Sequence, residues 1–307
     1  MRRRHLAASL AAPALAQEAF PGSRTLTLMV GFAAGGAADM TMRALAESIR
    51  QKRGAQAVID IRPGAGSALS LERLSRLPPD GTQVALGSPS AWAIIPQQQN
   101  VGYDPLALTA LGQMSAHPLP IYVRADSPHR DWAGLLAFAR ANPGRLSWGT
   151  AGARGLAEIS VEAAFRHEGV QTASVPFRGG AEAIVALLGG HIDAVASSDF
   201  GPLLAQGSVR LLVETGPARI PGHEALPTFR DLGYPMSLGV TYGVLGPPAM
   251  PPGIVQWWQA AIRELCDDPA FAATLRQGYA VPAFLDAAGY QALIRDGHAA
   301  FGRVLRG

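Results

Sequence analysis

The 307-residue sequence predicts an α/β fold of mainly parallel strands, in a chain long enough to divide into two lobes. Three observations predict it. Short apolar runs alternate with segments whose apolar residues recur at helical spacing. Glycines stand where those helices should end. The length exceeds what one hydrophobic core usually serves.

The first strand is TLTLMV (25–30), apolar at every second position. MRALAESI (42–49) then places Met42, Leu45, Ala46 and Ile49 on one helical face. Between them VGFAAGGAADM (30–40) reads as a strand-to-helix turn. Such a turn can hold an anion, because the first N–H groups of a helix lack intrahelical partners and the macrodipole is positive there. It can equally be a tight turn whose small residues let the helix pack closely. Further strands are read at 57–62, 83–88, 119–125, 146–150, 173–177, 192–198, 209–215 and 242–248. Helices are read at 132–142, 156–169 and 180–190, closed by Gly169, Gly189 and Gly190. Ligands of such sheets bind beyond the carboxyl ends of the strands. Four loops there are rich in glycine: GFAAGGAAD (31–39), RPGAGSAL (62–69), GTAGARG (149–155) and FRGGAEA (177–183). Together they outline a cleft lined by backbone. Polar side chains on offer are Ser88, Ser90, Ser197, Ser198 and Asp199.

MRRRHLAASLAAPALAQ has a basic start, a short apolar stretch and small residues at Ala14 and Ala16, the order of a secretory leader cut near Gln17. Residues 1–16 are too short to span a membrane. Losing Arg2, Arg3 and Arg4 lowers Lys+Arg from 26 to 23, equal to the 23 Asp+Glu, so the formal +3 belongs to the leader. With no basic run, nucleic acid is excluded as an expected partner. Cys266 is alone and can form no internal disulfide.

Catalytic motifs fail one by one. GAGSAL (64–69) has Leu69 where a dinucleotide fingerprint needs its third glycine. No phosphate-binding G-x-x-x-x-G-K-[ST] occurs, and Lys52 is the only lysine. No G-x-S-x-G elbow is present, and HEGVQ and HEALP lack the second histidine of H-E-x-x-H. His117, His129, His167, His191, His223 and His298 show no ligand spacing and read as solvated residues in loops or near helix ends. Trp257 and Trp258 read as helix packing. No metal or cofactor is expected, and a secreted α/β enzyme stays only as the lesser alternative.

Eight segments, in order from about residue 25 to the C-terminus, carry a resemblance. VGFAAGGAAD (30–39), IRPGAGS (61–67), PDGTQVALG (79–87) and LSWGTAG (146–152) are followed by VPFRGG (175–180), LLGGHID (187–193), LPTFRDLG (226–233) and YGVLGPPAMP (242–251). The sequence resembles the periplasmic solute-binding proteins of tripartite tricarboxylate transporters, the Bug family. The resemblance implies a two-lobed, type II-like periplasmic-binding fold with two crossovers and a ligand cleft between the lobes. Residues 17–117 and 241–307 would form one lobe and 118–240 the other. It implies a monomer that captures a small carboxylate for membrane transporter subunits, with presentation to a sensing receptor as the alternative. The implied ligand contacts are Phe32, Ala33, Gly36, Ala37, Ala38 and Asp39 from the first lobe. Thr150, Ala151, Gly152 and Asp199 come from the second, and Ser88 and Arg154 are added from the cleft loops. Ala38 stands where the family often has threonine, and Arg154 and Glu158 lie in a segment usually rich in Asn, Ser and His. Asp39 either favours the first helical turn or faces the cleft. Arg154 either pairs with Glu158 four residues on or grips a second acidic group.

Overall fold

The computed structural model describes residues 20–237 and 239–306; the proposed leader lies outside the described residues. Strand β1 (Leu26–Val30) leads into α1 (Ala37–Arg53), β2 (Ala57–Ile61), α2 (Ala68–Ser75), β3 (Gln83–Gly87) and the short α3 (Ile95–Gln98). Then come β4 (Thr109–His117), β5 (Pro120–Arg124), α4 (Trp132–Ala141), β6 (Ser147–Ala151), α5 (Leu156–His167), β7 (Ala173–Phe177), α6 (Gly180–Leu188) and β8 (Ala194–Ala196). The chain ends through α7 (Gly201–Ala205), β9 (Val209–Glu214), β10 (Val240–Gly246), α8 (Pro252–Cys266), α9 (Pro269–Arg276), β11 (Val281–Leu285) and α10 (Ala287–Arg306).

The strands form two sheets, ordered β11-β4-β10-β3-β1-β2 and β7-β6-β8-β5-β9. Both are mixed rather than dominated by parallel pairs. β1 runs parallel to β2 and β3, and β6 to β7 and β8, as β-α-β connections require. The other neighbours, built around β10, β4 and β5, are antiparallel because the chain enters and leaves each sheet across the crossovers. The register Leu26↔Ala57 to Val30↔Ile61 turns Leu26, Leu28 and Val30 onto one face. There they pack on Met42, Leu45 and Ile49 of α1 and on Trp258 and Ile262 of α8. Trp258 is fully buried and its indole donates to the Gly81 carbonyl, so it packs the helix as its sequence suggests. Met29, on the opposite face, joins a second core with Leu71, Trp92 and Tyr290.

Two strands have no sequence signal that reveals them. β4 interleaves Gly112, Gln113, Ser115 and His117 with its apolar residues, yet Gln113, Ser115 and His117 are buried. β11 carries Pro282 and pairs with β4 in a shifted register. His117 also departs from the solvated reading. It is buried, shares a 2.8 Å hydrogen bond with the Ser115 hydroxyl, and is pushed by burial to about 3.

The chain passes between sheets twice, at 118–119 and at 215–239. Glu214 joins the two passages. Its carboxylate accepts from the Leu119 amide at 2.9 and 3.1 Å and from the Gly216 amide at 2.7 Å, and burial pushes it up to about 7.

Candidate functional site

The site is built where strand ends meet helix starts. At Gly31 the chain leaves β1 so close to the loop at Ser67 that a Cβ would lie 2.1 Å from the Ser67 hydroxyl. This glycine is a packing requirement. Gly35 turns with φ +87°, and its amide donates to Asp39 Oδ2 at 2.9 Å. Asp39 Oδ1 pairs with Arg43 Nε at 2.8 Å. The Asp39 carboxylate therefore serves its own helical turn. Gly36 takes the extended conformation of an N-cap, and no side chain of its own turn caps α1.

The cap comes from the other lobe. Asp199, just beyond β8, accepts the Ala37 N–H on Oδ1 at 2.6 Å. Its other oxygen rests against the start of α6, where a Cβ on Gly180 would lie 1.6 Å away. The converse exists at α5, whose Leu156 amide donates to the hydroxyl of Ser90 from the first lobe at 2.9 Å. Each of these helix starts is thus satisfied by a side chain from the opposite lobe. The Ala33 amide adds a bond to the Arg178 carbonyl at 3.3 Å.

These contacts border a cleft between the lobes. Of the sequence-derived residues, Phe32, Ala33, Gly36, Ala37, Ala38, Ser88, Ala151 and Asp199 line it, joined by Ser90, Gly180, Ser197, Ser198 and Tyr242. Four lie outside its lining. Asp39 is turned back as described. Thr150 is fully buried in β6. Gly152 packs on Gly66 across the lobes, where a Cβ would come within 2.9 Å of Cα. Arg154 is exposed at the rim with φ +56°. Its guanidinium Nε donates to Gln98 Oε1 at 2.9 Å, and its carbonyl accepts from Gln98 Nε2 at 3.0 Å. Glu158, the expected i+4 partner, instead accepts the Arg154 backbone amide and the Ser174 hydroxyl.

Among the described residues no lysine, arginine or histidine lines the cleft. Asp199 is partly open to it, and low-polarity surroundings push its carboxyl above the usual range against the help of the Ala37 amide. Burial likewise raises the phenols of Tyr122 and Tyr242. Tyr122 shares a 2.8 Å hydrogen bond with Ser197, behind Asp199. The Ser88 hydroxyl is buried without a hydrogen-bond partner among the described residues. A second, mostly apolar cavity also borders Asp199, with the neutral His117 in its wall. Among the described residues no three His, Cys, Asp or Glu side chains are placed to hold a metal, and no helix is long and apolar enough to cross a membrane.

Gly180 and Tyr242 are site residues that sequence reading does not single out. Gly180 reads only as a helix start, and Tyr242 as one aromatic of a strand.

Residues 41–307 match the family described as the tripartite tricarboxylate transporter family receptor, TctC. The chain belongs to this receptor family. A Cupriavidus necator relative, the UPF0065 protein in the gbd 5' region, is 30% identical and aligns over 94% of this chain and 93% of its own. Protein BugT of Bordetella pertussis is 25% identical over 86% of this chain and 82% of its own. Among solved structures, a periplasmic transporter superposes with a TM-score of 0.88 at 25% identity, covering 94% of this chain and 98% of that one. R. palustris Rpa4515 with adipate superposes with a TM-score of 0.86 at 25% identity, covering 94% and 97%. The periplasmic binding protein BugD, at 24% identity and a TM-score of 0.84 over 92% and 97%, shares the two-lobed fold. The sequence-derived fold class and receptor family therefore both hold for this TctC-family receptor.

Proposed function

We propose that this TctC-family receptor is exported, loses its leader near Gln17, and captures a small organic carboxylate between lobes formed by 17–117 with 241–307 and by 118–240. It acts as a monomer and presents the closed complex to the membrane subunits of a tripartite tricarboxylate-type transporter. One observation carries the reading: a cleft lies between the sheets at the starts of α1, α5 and α6, with backbone and serine hydroxyls in its lining. The adipate of the Rpa4515 structure supports a carboxylate as the ligand class. The lining supports binding without chemistry, because its serines have no histidine or lysine beside them to act as base. The ligand contacts in this reading are Phe32, Ala33, Gly36, Ala37, Ala38, Ser88, Ala151 and Asp199.

A thermal-shift screen of monocarboxylates, dicarboxylates, amino acids and aromatic acids, followed by calorimetry, tests the reading. A carboxylate that binds 1:1 and is recovered unchanged supports it. Indifference to every acid class, or turnover of the bound one, refutes it.

A further inference from the structure

The turn that closes α9 sets an aromatic residue where the backbone favours glycine. The Tyr279 amide donates to the Arg276 carbonyl and the Ala280 amide to the Leu275 carbonyl, both at 3.0 Å, the paired bonds of a Schellman helix end. This ending holds Tyr279 in the left-handed region, at φ +57°, the position glycine usually takes. Among the described non-glycine residues of that region Tyr279 is the one aromatic. For the turn alone the side chain costs free energy relative to glycine.

What the ring contacts lies in the other lobe. It stacks on Phe200 with centroids 5.5 Å apart and planes 16° from parallel, and it meets the His223 ring edge-on at 5.6 Å. Phe200 is fully buried in the core of the five-stranded sheet, with Tyr122, Val195 and Leu211. Leu275 and Ala280, which flank the turn, belong to the core of the six-stranded sheet. One side chain from the first lobe is therefore packed against the hydrophobic core of the second. The backbone beside it fits as closely: a Cβ on Gly201 would lie 2.0 Å from the Gln277 carbonyl oxygen and 2.6 Å from Gly278 Cα.

We infer that Tyr279 is a latch for lobe closure, its ring plugging the second lobe when the cleft is shut and withdrawing when the lobes part. The inference rests on the two-lobed receptor reading and adds a device that acts away from the ligand. Neither Tyr279 nor Phe200 lines the cleft, so the latch biases closure without touching what is bound. Withdrawal separates the stacked rings and exposes their apolar faces to water, and both effects oppose opening.

Tyr279→Gly in the full mature chain, without ligand, separates a latch from a merely structural residue. Glycine suits the helix end, so the urea midpoint should stay unchanged or rise. Opening should nonetheless become easier. Hydrogen exchange should quicken about tenfold in peptides carrying the Ala37 and Leu156 amides, which donate across the lobes, the scale of a lost aromatic contact. Tyr279→Phe, which keeps the ring, should exchange as the wild type does. Gly201→Ala, which drives a methyl group into the turn from the second lobe, should quicken the same peptides. Wild-type exchange in Tyr279→Gly would overturn the inference. So would a lowered urea midpoint with faster exchange throughout the chain, which would make the ring a support of the fold. Ala37 and Leu156 amides already unprotected in the wild type would mean that there is no closed ligand-free state to latch. Each of these outcomes leaves the carboxylate reading to its own ligand screen.

Discussion

Gly180 shows how one missing side chain can decide a site. A methyl group there would lie 1.6 Å from Asp199 Oδ2, so Gly180→Ala must expel the carboxylate from between α1 and α6 and leave the Ala37 amide without its partner. The loss should be about 1–3 kcal/mol in urea denaturation, the scale of overpacking combined with an unsatisfied donor. In an Asp199→Ser background the same substitution should cost well under half as much, because the clash it creates is with a group no longer present. Equal costs in both backgrounds would place the strain elsewhere. Arg154 is the opposite case. Its guanidinium spans to Gln98 at an exposed rim, so Arg154→Ala should change stability by less than about 1 kcal/mol. Any loss of affinity should be modest and the same for mono- and dicarboxylates, since the contact is between lobes rather than with the ligand. A selective loss of diacid binding in calorimetry would show that the side chain swings inward. The local turn around Gly35 and Gly36 was legible in the sequence, because glycine spacing is a local signal. Asp199 as its occupant was not, since the two lie 162 residues apart and only the closed fold brings them together.

The elements that were legible are those with a clean period. β1, β6 and β7 sit in parallel register, flanked by amphipathic helices, and their apolar alternation survives in the sequence. β4 was hidden because a central strand buried on both sides hydrogen-bonds its polar residues internally, as Ser115 does with His117 and Gln113 with the Ala283 carbonyl. The crossovers add a feature that no periodicity encodes: Glu214, at the end of β9, holds the amides of Leu119 and Gly216. Burial raises its carboxyl from the ordinary 4.5 to about 7. A folded-state value above the unfolded one means that the native chain keeps the proton longer. Its contribution is therefore fully present below about pH 4.5 and is lost as pH rises through 7, to the extent of roughly 3 kcal/mol. Denaturation of the wild type and Glu214→Gln across pH 4.5–8 should give a difference in stability that falls over this window and levels above it. A difference flat with pH would mean that the three amide bonds hold the carboxylate ionised throughout.

At the scale of the whole molecule, the lobes meet through apolar packing, such as Phe200 stacked on Tyr279 and Gly152 against Gly66, and through a few polar contacts. Asp199 caps α1 from one side, Ser90 caps α5 from the other, and Gln98 meets Arg154 at the rim. The passages at 118–119 and 215–239 are the connections about which hinged binding proteins of this kind open. Each cap contributes on the order of 1 kcal/mol, and a ligand touching both lobes adds to the preference for the closed state. Removing both caps with Ser90→Ala and Asp199→Asn should therefore enlarge the ligand-free radius of gyration in solution scattering, while far-UV circular dichroism stays unchanged. The single variants should fall between the double variant and the wild type. An amino acid or other acid that binds the wild type should contract Ser90→Ala back to the wild-type dimension at saturation, because ligand contacts replace the missing cap. A double variant with the same radius as the wild type would show that apolar packing between the lobes, rather than reciprocal capping, keeps the cleft shut.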